Sequence, residues 1–524
     1  MPDDALAVLT TRGLRQGDAE ARLRKLQAGT LLSAGRGLRG LLQRRFKLQG
    51  RGAARDEARS GGRLRSQASR GRGGRSAELV PSLRIALSGG GCETALRYAE
   101  ELAGSGLRLD VDALDLITRA FGAAGRHREA CALWERHAPS GARSHPSWLT
   151  LRAITGEPGF SWHTLTASHP FLVDQGIQGG HLDREQVAAL LLERPLSSLL
   201  HPEQHLLHFN AARASGDGDA TALRHYFATH ASIFEFRGFQ VGMEAAAALR
   251  SVNGAARTGP LVSVAMSARN ARPTILMAIT SLLAQTHRNL EILVCDDASD
   301  DDTLTVLREA FEHDPRVRLF RSEGCQGTYN VRNQLFAEAR GELLTTHDAD
   351  DFALPTRIAD QVRALERTRA DACFGSWLRL RPDGSVVFFW DQRALRLSVV
   401  SLMMRREVSD RLGPYRSARY GADLEQLEKV RRGPFRVARV TRPLMLSLWG
   451  QGSLTRAAAS EALENGYRSA GRRAYSEVVF QRHLLGDAAV PETAVIDLLE
   501  HHDNYCEATG LVEVTSRSCL RVLR

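Results

Sequence analysis

The octapeptide TTHDADDF, residues 345–352, places three carboxylates within four positions: Asp348, Asp350 and Asp351. They follow the apolar pair Leu343-Leu344. Like charges so close together are mutually unfavourable unless a cation compensates them. Hard divalent cations take oxygen ligands, and a Mg²⁺ site typically uses one or two carboxylates with substrate phosphates and water completing the shell. Asp348 and Asp350, one residue apart on a loop leaving a strand, can face the same way. They are candidates to hold Mn²⁺ or Mg²⁺ against a diphosphate. The competing role is structural, with Asp350 or Asp351 capping a helix around residues 357–365.

A second acidic set, CDDASDDDT, closes another apolar run. Asp296 or Asp297 there can accept from a nucleobase ring N–H or a ribose hydroxyl. Between the two sets stand Asn330, Arg332 and Asn333. Arg332 offers the planar fork that pairs with a diphosphate.

Something must bring these groups together, and the pattern after Thr258-Gly259-Pro260 supplies it. Apolar runs at 261–268, 290–296, 317–322 and 342–347 read as strands. The segments 273–285, 300–313 and 328–339 read as helices, the second with an acidic first turn. Alternating strands and helices predict an α/β domain with a mainly parallel sheet. Both acidic sets then fall at C-terminal strand ends, the edge where open α/β sheets bind ligands.

The motifs LVSVAMSARN, SLLAQTHRNLEILVCDDASDDDT and RVRLFRSEGCQGTYNVRNQLFAEARGELLTTHDADDFALPTRIADQ occur in this order. LGPYRSARYGADLEQLEKV and PLMLSLWGQGSLTR follow. Together, over residues 260–456, they resemble the glycosyltransferase family 2 domain, which has the GT-A fold. The resemblance implies an α/β GT-A unit and a nucleotide-sugar donor, with UDP as the nucleotide. It assigns the uracil contact to Asp297 with Asp296 beside it, and the ribose and metal–diphosphate contacts to Asp348 and Asp350. It places the catalytic base in GADLE. Asp423 is the candidate, but Ala422 replaces the usual Glu and Glu425 follows, so both carboxylates stay open. Asp423 also fits a carboxylate placed at a helix N-terminus for its dipole. Ser267, Ala268, Arg269 and Asn270 stand where the family flanks the donor's base, with Arg269 in an aromatic's place.

The implied reaction is a metal-dependent, inverting sugar transfer to an acceptor hydroxyl in polysaccharide, glycolipid or glycoprotein synthesis. The acceptor is a saccharide or a lipid-linked one. Processive synthases of the family carry Gln-x-x-Arg-Trp and membrane helices, and this sequence has neither, so one or a few sugars are expected to be added. Trp377, Phe388, Phe389 and Trp390 in the acceptor half suit either sugar rings or a core. The alternative is a non-catalytic scaffold with a degenerate GT-A domain and a partner-binding helical region, favoured by the Ala422 and Arg269 departures.

The remaining chain is organised differently. Residues 1–80 carry sixteen Arg and two Lys against seven acidic residues, which accounts for the net charge of +10 over 524 residues. They are expected to form a largely disordered basic tail and linker: Leu and Arg interleave over 19–48, a candidate membrane-surface helix, and Gly, Arg and Ser dominate 50–76. No aromatic interleaves the basic run, which argues against a specific nucleic-acid partner. Residues 81–255 read as a helical accessory region and candidate protein-docking surface, with a helix–Gly turn–helix in DALDLITRAFGAAGRHREACALWERH similar to a tetratricopeptide hairpin. His201, His205 and His208 fall on one helix face, where a half-buried face accounts for them without a metal. Residues 457–524 read as a helical or mixed extension. The seven cysteines form no CxxC pair, and neither a signal peptide nor a membrane span is discernible. The expected location is cytoplasmic, with the tail at the inner membrane face.

Overall fold

The computed structural model describes residues 73–156, 160–162, 165, 169–192, 203–216, 221–229, 235–236, 249–250, 258–450, 456–457, 461–485, 492–514 and 521–523. The stretch 19–48, most of 50–76 and His201 lie outside them. The first helix, α1 (Gly73–Gly89), begins inside the stretch expected to be linker. The reason is its apolar face: Leu79, Leu83 and Ala86 bury against α2 (Cys92–Ala103) and α3 (Val111–Ala123). After α3, Gly125 turns the chain into α4 (His127–His137), the hairpin expected from the sequence. Next come α5 (Pro146–Thr155), α6 (Pro170–Gln178), α7 (Arg184–Leu192), α8 (Glu203–Ala214) and α9 (Thr221–Thr229). A two-residue antiparallel pair, β1 (Glu235–Phe236) with β2 (Leu249–Arg250), departs from the all-helical expectation.

The α/β unit follows the expected order closely. It runs β3 (Val262–Ala268), α10 (Ile275–Leu283), β4 (Leu290–Asp296), α11 (Thr303–Phe311), β5 (Val317–Ser322), α12 (Thr328–Glu338) and β6 (Leu343–Thr346). Helix α11 starts at Thr303, so Asp300, Asp301 and Asp302 form its entry turn rather than its first turn; Asp301 accepts from Thr303 N at 3.0 Å. Strands β5, β4, β3 and β6 lie side by side and parallel. Strand residues alternate between two cores. Val262, Val264, Met266, Ile292 and Val294 bury on one face with Ile275, Ile279 and Leu282. Ala265, Leu293, Cys295 and Leu344 bury on the other with Val331 and Leu335 of α12.

The sheet then turns mixed: β7 (Asp351–Ala353), α13 (Arg357–Thr368), β8 (Ala372–Leu380), β9 (Arg396–Arg405), α14 (Arg406–Leu412), α15 (Ala422–Arg432) and β10 (Val437–Leu448). Antiparallel β9 joins β6 to β8, and β10 pairs with β8 in parallel and with β7 in antiparallel. This is the α/β GT-A arrangement that the motifs imply. The C-terminal segment is built into it. After α16 (Ala470–Leu485) and α17 (Glu492–His501), β11 (Leu511–Glu513) pairs with β5, and β12 (Arg521–Leu523) pairs with β11.

Helices α6 and α8 are fastened to the loop after β8. Asp174, fully buried, pairs with Arg381 at 2.6 Å. Asn210 bonds both Asp174 Oδ1 at 2.8 Å and Val386 O at 2.7 Å. Phe171, Leu206, Val386 and Phe388 close one core around them, so Phe388 is core rather than binding surface.

Candidate donor and acceptor site

Strand β3 separates β4 on one side from β6 on the other, a topological switch point, and open α/β sheets bind ligands beyond the C-terminal strand ends at such a point. Ser267 and Arg269 flank Ala268, the last residue of β3; Asp296 closes β4 and Asp297 follows it; Asp348 and Asp350 follow β6. Cross-links fix these loops to one another. Asp297 N donates to Ala268 O at 2.8 Å and His347 N to Ala265 O at 3.1 Å. Asn270 N donates to Ser299 Oγ at 3.0 Å, and Asp300 N returns a bond to Asn270 Oδ1 at 2.8 Å. Arg269 is exposed and its guanidinium contacts Cys325 Sγ.

The two strand-end aspartates have different surroundings. Asp297 is taken up by the protein: it accepts from Ser322 Oγ at 2.9 Å, Gln326 N at 2.9 Å and Gly327 N at 2.8 Å. It clasps the loop that leads into α12. Asp296 Oδ1 is buried with no partner, and burial pushes its carboxyl up against the pull of Ser299.

After β6, Asp348 contacts Arg332, whose side chain is only 2% exposed. Arg332 Nε is buried without a partner, and its guanidinium lies 5.6 Å from the Tyr329 ring centre. Asp350 is half-buried, and burial followed by the Asp348 charge pushes its carboxyl up to about 6. Asp351 is not exposed at the site. It lies in β7, fully buried, and burial with the Asp350 and Asp348 charges raises its carboxyl far above the usual range. Neither Asp350 nor Asp351 caps the following helix, whose N-cap is Thr356. Behind them sits Arg357, which donates to His347 Nδ1 at 2.6 Å and Thr346 O at 2.6 Å. With Nδ1 accepting, His347 Nε2 donates to Asp351 O at 3.1 Å. Burial brings the Arg357 guanidinium down to about 10 despite Asp351 and Asp348.

The GADLE carboxylates separate cleanly. Glu425 is buried in a cage: Arg416 donates to both oxygens at 2.9 and 3.0 Å, Lys429 lies at 3.5 Å and Tyr475 Oη donates at 2.5 Å. Burial works against its charge, but Arg416, Lys429 and Tyr475 outweigh it and hold the carboxyl at about 2. Asp423, in the first turn of α15, is half-exposed and bonds its neighbour's Leu424 N at 2.8 Å. It interacts with the Tyr329 hydroxyl and lies in the field of Arg332 and Arg472. Ala422 is 1% exposed in a core with Tyr415 and Tyr475, so the position that departs from the family pattern is a packing position.

Among the described residues, no set of three or more His, Cys, Asp or Glu is arranged to hold a metal alone. Two carboxylates, one with its proton held more tightly by burial and then by its neighbour's charge, fit a cation whose shell phosphates and water complete. His205 and His208 lie on α8, where burial lowers both, and His205 packs edge-on to His225 with ring centres 5.8 Å apart.

Sequence reasoning passed over Arg379 and the C-terminal contribution. Arg379, on β8, lies 4.3 Å from the Trp377 ring centre and 4.7 Å from that of Trp449. Burial brings its guanidinium down to about 10, opposed by Asp351, Asp350 and Asp348. The signal was the alternation Trp377-x-Arg379 on one strand face. From the C-terminal segment, Cys506 O accepts from Asn330 at 2.8 Å, Thr509 O accepts from Gln334 at 2.6 Å, and Arg472 reaches Asp423 electrostatically. No short-range pattern marks these contacts.

Residues 263–416 match the family model described as glycosyl transferase family 2. Asp423 lies just beyond that match. The chain is 34% identical over 106 residues to the E. coli UDP-Glc:alpha-D-GlcNAc-diphosphoundecaprenol beta-1,3-glucosyltransferase WfaP, covering 20% of this chain and 41% of that protein. It is 34% identical over 113 residues to the putative glycosyltransferase EpsE of Bacillus subtilis (21% and 41%), and 38% identical over 99 residues to E. coli chondroitin synthase (19% and 14%). The chain thus spans about two fifths of the length of the first curated relatives it matches. S. aureus TarS 1–349 in complex with UDP is similar over 46% of this chain and 71% of that one, at 15% identity and a TM-score of 0.33. No helix among the described residues is long and apolar enough to cross a membrane.

Proposed function

We propose that this chain, which carries a glycosyl transferase family 2 domain over residues 263–416, transfers a sugar from a UDP-sugar to an acceptor hydroxyl with inversion. The observation that carries this reading is the placement of Arg332. It is a buried guanidinium held between Asp348 at the donor edge and the Tyr329–Asp423 pair. Charge compensation for a leaving diphosphate and a carboxylate for the attacking hydroxyl thus share one crevice.

Asp348 and Asp350 would hold Mn²⁺ or Mg²⁺, which supplies Lewis-acid stabilisation of the diphosphate. Arg332 would add a preorganised cation where negative charge develops. The acceptor oxygen attacks the anomeric carbon as the bond to the diphosphate oxygen breaks. Asp423 takes the hydroxyl proton, and the electron pair of the broken bond leaves with UDP. One displacement inverts the anomeric centre. Glu425, held at about 2 by its cage, is a poor base and instead fixes α15. Asp297 orders the loop against which the uracil would lie, while Asp296 retains an oxygen without a protein partner. Ser267 and Arg269 flank the base from the end of β3.

The relative named for a diphosphoundecaprenol-linked substrate suggests a lipid-linked saccharide acceptor here. The arginine-rich tail would hold the chain at the anionic cytoplasmic face of a membrane. Calorimetry of UDP with and without Mn²⁺, on the wild type and Asp350→Ala, tests the donor site. Metal-dependent binding lost in the variant is expected; binding of no nucleotide under any metal condition would return the chain to the scaffold alternative.

A further inference from the structure

A cavity of about 590 Å³ lies where the helical region meets the α/β unit. Its walls come from three parts of the chain: Arg84 and Arg119 on α1 and α3, Arg379 and Arg396 on β8 and β9, and Arg468 just before α16. Asp112 and Asp115 are its acidic lining residues. Three of the arginines are matched: Arg84 to Asp112 at 2.5 Å, Arg119 to Asp115 at 2.8 Å, and Arg396 to Asp391. Arg379 and Arg468 form no ion pair within 4 Å among the described residues. Arg379 is clamped between two indoles, which fixes the plane of its fork. Its charge is also offset by those of Asp351, Asp350 and Asp348, none of which lines the cavity.

Trp377, Phe389 and Trp449 are already stacked on guanidinium groups, with Arg396 4.8 Å from the Phe389 ring centre and Arg456 5.4 Å from that of Trp449, while Trp390 packs against Gly122 and Gly466 and Tyr467 against Gly125. A neutral sugar seeking bare aromatic faces is therefore poorly served. A sugar bearing a negative group is well served, because rigid, partly desolvated guanidinium forks bind carboxylate and phosphate in bidentate fashion.

We propose that this cavity binds the anionic group of an acceptor saccharide, a uronate carboxylate or a sugar phosphate, and that the N-terminal helices supply part of the site. The inference rests on the transferase reading only for the word acceptor; the anion site stands or falls separately. The helical region is then a specificity element rather than a docking surface for another protein.

The test is ligand-observed NMR on the full chain with glucuronic acid, glucose 1-phosphate and glucose as probes. UDP titration of the same samples reports on the donor site independently. One or both anions are expected to bind at least about tenfold more tightly than glucose, a difference of the size given by charge-assisted pairs. The stronger of the two anions tells carboxylate from phosphate. Arg379→Lys should weaken anion binding. Because Arg379 is packed between tryptophans and its replacement would disturb folding, Arg119→Glu, at an exposed position of α3, provides the second variant and should abolish the anion preference. Glucose binding as well as both anions, binding of neither anion, or an anion preference unchanged in Arg119→Glu would overturn the proposal: in the last case, Arg379 merely balances Asp350 and Asp351.

Discussion

Arg332 contacts Asp348 and stands over the ring of Tyr329, whose hydroxyl interacts with Asp423. One buried guanidinium therefore links the donor edge to the candidate base. Removing it strips Asp348 of its partner and the leaving group of its counter-charge. Arg332→Ala should lower transfer by about 10²–10³-fold, the range for losing one preorganised charge-stabilising donor. Arg332→Lys should recover little of it, because a point charge does not reproduce the fork. Steady-state release of UDP checks both, with thermal melts to confirm folding.

The two GADLE carboxylates should part on substitution. Asp423→Asn should cut transfer by about 10²–10⁴-fold, the usual span for a general base, while UDP binding by calorimetry stays near the wild-type value. Glu425→Gln should act through stability instead, since it breaks the bonds to Arg416 and Tyr475. If Glu425→Gln abolished transfer at an unchanged melting temperature, the base would have to be reassigned.

The Glu425 cage also predicts a pH dependence. Its carboxyl is held at about 2, below its ordinary 4.5. A depressed carboxylate contributes stability that is fully present above the unfolded value and is lost as pH falls from about 4.5 towards 2. A shift of this size corresponds to on the order of 3 kcal/mol. Urea unfolding of the wild type should weaken across that window, and the difference from Glu425→Gln should shrink towards zero at its acid end.

Chelation gives a separate reading of the TTHDADDF loop. With EDTA, UDP affinity should fall by at least about tenfold and be restored by Mn²⁺, because two neighbouring carboxylates facing a diphosphate repel it unless a cation intervenes. Asp350→Ala should bind UDP with no response to either addition. An equal response to Mn²⁺ in wild type and variant would place the metal elsewhere.

The sequence was most legible where physics is local. The runs that became β3, β4, β5 and β6 are apolar, short and bounded by turns, so their ends, and with them Asp296, Asp297 and Asp348, could be located. What was not legible depends on distant partners. Asp351 looks like Asp350 in sequence, yet β10 pairs with β7 and buries it. Glu425 and Asp423 are two residues apart, and what tells them apart is the cage of Arg416, Lys429 and Tyr475, the last arriving from α16. Strand β11 finds β5 across nearly two hundred residues, a pairing that three residues of apolar alternation do not announce.

The same dependence on distant partners can be measured where the helical region meets the α/β unit. Trp390 lies between Gly122 of α3 and Gly466, and its backbone N donates to Glu464 O at 2.9 Å. Alongside, Arg468 N donates to Ala123 O at 3.0 Å. A Cβ at Gly466 would stand 2.7 Å from the indole, and φ there is +94°, which L side chains rarely adopt. A Cβ at Gly122 would stand 3.3 Å away on ordinary helical backbone. Gly466→Ala meets both a steric and a conformational cost and should lose about 2–4 kcal/mol, whereas Gly122→Ala should lose about 1 kcal/mol or less, the ring giving by a few tenths of an ångström. Urea unfolding orders the pair. If Trp390 is the wedge, Trp390→Ala should shrink the penalty of Gly466→Ala to its backbone part, and a double-mutant cycle would show that coupling directly. Additive losses would mean that Gly466 is required for its φ alone and that the ring is a bystander.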